Sequence, residues 1–68
     1  MEEQMFVNIE AERIRRRIRK EELAEGMDIT VHTLNDWIHE RQPIPAGKLA
    51  ALSKFLECSA DYLLKEGR

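Results

Sequence analysis

The sequence predicts an all-α fold, a compact bundle of five short helices. Apolar residues recur at three- and four-residue steps in several short windows, and no alternating, strand-like run occurs. Gly26 to Asp28 and the prolines of "RQPIPAG" punctuate those windows, as turns between helices do. The composition, 43% hydrophobic and 35% charged over 68 residues, suits amphipathic helices with charged outer faces around one small core. A chain this short buries only roughly 60% of its unfolded surface, so a deep substrate cleft is not expected.

Residues 1–7 read as a flexible lead-in, with Met5, Phe6 and Val7 tucked against the first helix, and residues 8–68 as one domain. Asn8 is the expected N-cap, and Glu10 and Glu12 lie in or near the first turn, where the helix dipole favours negative charge. The helix then runs from about Ile9 to Arg17, with Ile14 and Ile18 four apart and Ala11 on the same side. "RRRIRKEELAEG" offers no glycine, proline or short polar cap before Gly26, and propensity alone carries one helix on to Glu25. Two helices broken near Ile18 to Arg19 are preferred, because one straight helix cannot keep Ile14, Ile18, Leu23 and Met27 on a narrow stripe.

After the turn at Gly26 to Asp28, Thr30 caps a third helix from Val31 to about Glu40. Val31, Leu34, Trp37 and Ile38 form its inner face, and His32, Asn35, Asp36, His39 and Glu40 its outer one. "RQPIPAG" is a loop, and Pro45 pre-sets the first turn of the fourth helix, Ala46 to Leu56. Leu49, Leu52, Phe55 and Leu56 stand at core spacing there, and Trp37 and Phe55 read as core rather than as ligand platforms. Ser59 caps a last short helix carrying Tyr62, Leu63 and Leu64, which ends near Gly67.

A net charge of -2 argues mildly against a nucleic-acid partner, but its distribution matters more. Six of the eleven basic residues lie between positions 13 and 20 (Arg13, Arg15, Arg16, Arg17, Arg19, Lys20), flanked on both sides by glutamates. The single cysteine, Cys58, cannot form an internal disulfide and reads as a small buried hydrophobe. With no apolar run long enough for a signal peptide or a membrane span, the expected location is the cytoplasm. No nucleophile, base and orienting group can be assembled in a pocket of so small a domain, and no phosphate loop is present. Neither enzymatic activity, a cofactor nor a small-molecule substrate is expected. His32, Asp36 and His39 fall on one helical face at metal-ligand steps, but a solvated polar face is the commoner origin of such spacing, and no metal is expected.

The segment "KEELAEGMDITVHTLNDW" resembles the second and third helices of the phage-repressor and Cro type helix-turn-helix family, the lambda-repressor-like fold. Leu23 and Ala24 stand at its packing positions, Met27 before the turn, Ile29 after it, Thr30 at the cap, Leu34 in the core and Trp37 closing it. The likeness continues through "IPAGKLAALSKFLECSADYLL", so it covers about residues 8 to 65. It implies a DNA-binding transcriptional regulator of phage or mobile-element type, acting as a homodimer on double-stranded DNA, with its third helix in the major groove. Carried over position by position, it places base reading on Val31, His32, Asn35 and Asp36. Phosphate contact falls on Lys20, Thr30, Thr33, His39, Arg41 and Gln42, with Arg13 or Arg16 of the basic segment in addition.

The chain departs from the family pattern in places. Asp28 stands where the family usually has glycine in a left-handed turn, and Arg17 and Arg19 replace the usual glycine and Ser/Thr cap between the first two helices. Ile38 replaces a frequent glutamate. On the reading face, Val31 can meet a thymine methyl, His32 can donate to guanine and Asn35 can pair with adenine, whereas Asp36 carries negative charge toward the groove. A second reading therefore stands beside the first: the same fold docking a protein partner through an acidic, histidine-bearing helix, with little or no DNA binding and tuning near pH 6.

Overall fold

The computed structural model describes residues 5–65. Its helices are α1 (Val7–Arg15), α2 (Lys20–Gly26), α3 (Val31–Ile38), α4 (Ala46–Leu56) and α5 (Ala60–Leu63). The expected order and class are present, and the chain does break between the first two helices instead of running on to Glu25.

That break, like those after α2, α3 and α4, has one local cause. Arg17 adopts φ 59°, its N–H donates to Ile14 O at 3.0 Å, and Ile18 N–H donates to Arg13 O at 3.0 Å. This pair of bonds is the Schellman motif, which satisfies carbonyls that the helix end would leave orphaned. It recurs at Asp28 (φ 59°), whose N–H meets Glu25 O while Ile29 N–H meets Ala24 O, and at Glu40 (φ 58°), with Trp37 O and Asp36 O as acceptors. Glu57 (φ 55°) repeats it on Lys54 O and Ser53 O. The four residues in the left-handed region are all charged. After three of them comes an apolar side chain, Ile18, Ile29 or Cys58, that packs on the core. That burial offsets the steric cost of a left-handed residue bearing a Cβ.

Thr30 and Ser59 cap as expected, Thr30 Oγ1 accepting from Thr33 N–H and Ser59 Oγ from Tyr62 N–H, each at 3.1 Å. At α2 the cap is half a capping box: Glu22 Oε1 accepts from Arg19 N–H at 2.8 Å, and an arginine side chain has nothing to accept with in return. Pro45 ends up as the N-cap of α4, its carbonyl accepting from Leu49 N–H at 2.8 Å.

Several expectations are corrected. Asn8 is not a cap. The helix begins at Val7 with Phe6 as N-cap, because Phe6 N–H is drawn to Ile38 O at 2.9 Å, and Asn8 Nδ2 instead donates to Tyr62 O at 2.7 Å. Ile14 is 62% exposed and Ala11 is exposed, since α1 stops at Arg15 and Ile18 no longer continues the face of Ile14. The buried side of α1 is Ile9 with Glu12. α3 ends at Ile38, two residues short of the expected Glu40, where the left-handed turn intervenes. Phe55 is exposed rather than core: its ring lies over Gly26, where an added Cβ would stand 2.5 Å from Phe55 Cε2. Cys58 is half-buried, and the expected helix end near Gly67 lies outside the described residues.

The core is built from all five helices: Ile9, Leu23, Ala24, Met27, Leu34, Trp37, Ile38, Leu52, Leu56 and Leu63. α2 packs on α3, and α1 bridges α3 and α5. Glu12 locks the second of these contacts. Its Oε1 meets Arg15 Nη2 at 2.8 Å and Arg16 Nε at 3.5 Å, and its Oε2 accepts from the Tyr62 hydroxyl at 3.1 Å. The Arg15 bond, with that of Tyr62 and the Arg15 charge, holds the Glu12 carboxyl below the usual carboxylate range. The Glu12 carboxylate in turn raises the Tyr62 phenol above its own.

Candidate nucleic-acid interface

The unit that presents α3 is held from behind. Leu23 and Ala24 of α2, Met27 just after it, and Leu34, Trp37 and Ile38 of α3 are buried, and the four-residue connection is fixed by the Asp28 turn and the Thr30 cap. Lys48 of α4 adds a clamp, its Nζ donating to Met27 O at 2.7 Å, a contact without any signal in the sequence. A helix so supported is a rigid platform for its outer side chains.

On that outer side the His32 side chain is 83% exposed, while Val31, Thr33 and Asn35 are half-buried. Asn35 is not free to rotate: its Oδ1 accepts from Lys20 Nζ, the first residue of α2, at 2.9 Å. Thr30 and Thr33 join hydroxyl to hydroxyl at 3.1 Å. Lys20 and Asn35 thus form one pair across α2 and α3, and Thr30 and Thr33 a second at the start of α3.

Asp36 is turned inward. Only 7% of its side chain is exposed; Oδ2 accepts from Gln42 Nε2 at 3.0 Å and stands 3.3 Å from His32 Nε2, and Oδ1 meets Arg41 Nη1 at 3.4 Å. Its backbone carbonyl accepts from Arg41 N–H at 2.7 Å as well. The carboxylate therefore organises the turn that carries Arg41 and Gln42, and its charge is faced by their donors rather than by solvent. The Arg41 side chain remains 55% exposed.

Arg13 lies elsewhere. Its side chain is 15% exposed, and its guanidinium chelates Glu10 at 2.7 and 3.0 Å and donates to Ile18 O at 2.7 Å, so it clasps the turn between α1 and α2. The Arg13 bond holds the Glu10 carboxyl below the usual carboxylate range, against the opposing effect of burial, and the charges of Arg13, Lys20 and His39 add to the lowering. His39 is the half-buried C-cap of α3. Among the described residues no group of three His, Cys, Asp or Glu side chains is placed to hold a metal ion, so His32, Asp36 and His39 form no such cluster.

This architecture, five helices with the α2–turn–α3 unit propped on the others, defines a helix-turn-helix protein. The chain belongs to the Cro/C1-type HTH DNA-binding domain family, whose pattern matches residues 8–65. No curated protein and no solved structure gives a match. No described helix is long and apolar enough to cross a membrane.

Proposed function

We propose that the protein is a sequence-specific transcriptional regulator of phage or mobile-element type, working in the cytoplasm as a homodimer whose two α3 helices enter successive major grooves about 34 Å apart. The observation that carries this reading is the inward turn of Asp36. Its carboxylate is spent on Arg41, Gln42 and His32, so α3 offers the groove His32, Val31 and Asn35 without a protruding negative charge.

In this reading Val31 and the exposed His32 face the base edges, Val31 packing on a thymine methyl, with Asn35 beside them. Lys20 holds one phosphate and Arg41, Gln42 and His39 another, with Thr30 and Thr33 close to the backbone, so that the strands are positioned before any base is read. Asp36 sets the place of the second group, and Arg13 supports the fold of the turn below the first.

The test is fluorescence anisotropy with a mixed-sequence duplex and with DNA flanking the protein's own gene, from about 50 to 200 mM salt, where phosphate contacts give a steep slope. Tighter binding to the flanking DNA with that slope is expected. No binding to either duplex at the lowest salt overturns the proposal and turns the search to a protein partner.

A further inference from the structure

The contact between Lys20 and Asn35 decides how Asn35 is able to read DNA, an inference that rests on the proposed function above. An asparagine free in the major groove suits adenine, accepting from N6 while donating to N7. Here the amide is not free. Lys20 Nζ lies 2.9 Å from Asn35 Oδ1, and an ammonium has three donors and no acceptor, so chemistry as well as geometry requires the oxygen to face the lysine. Nδ2, the donor end, is the end left for a base.

We infer that Asn35 is a donor-only reader, set by Lys20, which prefers guanine or thymine to adenine or cytosine at the base pair it meets. Guanine N7 and O6 and thymine O4 accept from Nδ2. Adenine still offers N7 to Nδ2, but its N6, like cytosine N4, would have to turn its amino hydrogens on Oδ1, where the ammonium already stands, so adenine loses half of its usual paired contact and cytosine all of it. Lys20 is then a positioning residue with two tasks. One of its N–H bonds fixes Asn35, and the other two remain for a backbone phosphate. The two helices of the motif are thereby coupled: a backbone contact on one strand and a base preference in the groove depend on the same side chain.

The experiment is selection from a randomised duplex pool, at low salt, by the wild-type chain and by the Lys20→Met, Asn35→Ala and doubly substituted proteins, with thermal melts to show that each is folded. Lys20→Met keeps the aliphatic stem and removes only the donor. The wild type is expected to select guanine or thymine at one position of the half-site. Lys20→Met is expected to raise the share of adenine there by about tenfold relative to wild type, the size of one good base contact. In the Asn35→Ala background the same lysine change is expected to weaken binding evenly across sequences and shift no base. A wild type that already prefers adenine at that position, or a Lys20→Met motif identical to the wild-type motif, overturns the inference while leaving DNA binding intact. A wild type that enriches no sequence overturns the sequence-specific reading itself, and this inference with it.

Discussion

Asp36 shows how a single residue changes meaning between sequence and structure. On a helical wheel it sits on the polar face beside His32 and reads as a charge pointed at the partner. In the folded chain the left-handed turn at Glu40 brings Arg41 and Gln42 back over it, and both of its oxygens find donors. Asp36→Asn is therefore expected to lower stability by about 1–2 kcal/mol, a charge-assisted bond weakened with Arg41 still partly solvated. The measurement is the urea midpoint at constant slope. An unchanged midpoint would mean that the carboxylate contributes nothing to the turn. Lys20 and Asn35 belong with it, because a fifteen-residue separation in the chain gives no hint that they touch.

At the scale of the element, the helix ends are the least usual feature. Arg17, Asp28, Glu40 and Glu57 occupy the left-handed region that glycine adopts freely, and each carries a Cβ that costs about 1 kcal/mol there. Glu57→Gly is expected to stabilise the protein by about 0.5–1 kcal/mol, after the greater unfolded-state entropy of glycine is subtracted, and to raise the melting temperature by a few degrees. Asp28→Gly should gain less, since aspartate tolerates the region better than glutamate. Equal or lower melting temperature for Glu57→Gly would show that the strain is absent. A helix stop without glycine carries little signal in the sequence for this reason. The sign was the apolar residue just after, at Ile18, Ile29 and Cys58, which anchors the turn.

Across the whole molecule, α1 is tied to α5 through Glu12 and Tyr62 and to the start of α2 through Glu10, Arg13 and Ile18 O. Both carboxyls titrate lower in the folded chain than their ordinary value of 4.5. A depressed folded value means that the stabilisation is present above the unfolded value and is lost as the pH falls through the folded one. The melting temperature is thus expected to hold from pH 7 to about 5 and to fall steeply below that, and Glu12→Gln should flatten the fall. An identical acid profile in that variant would separate Glu12 from acid unfolding. The same network explains why Glu12, read from the sequence as an N-terminal dipole partner, is a buried tie between helices.

The sequence by itself determined the all-α class, the order of the five helices, the caps at Thr30 and Ser59, and most of the core. Those follow from periodicity and turn chemistry, which are local and which the buried Leu23, Leu34, Trp37, Leu52, Leu56 and Leu63 obey. The tertiary structure decided the rest: that Ile14 and Phe55 stay exposed, that Asn8 reaches Tyr62, that Asp36 faces inward and that Lys20 pins Asn35. Each depends on where a helix stops and which distant atom then lies within about 3 Å, and hydrogen bonds between residues far apart in the chain leave no period to be read.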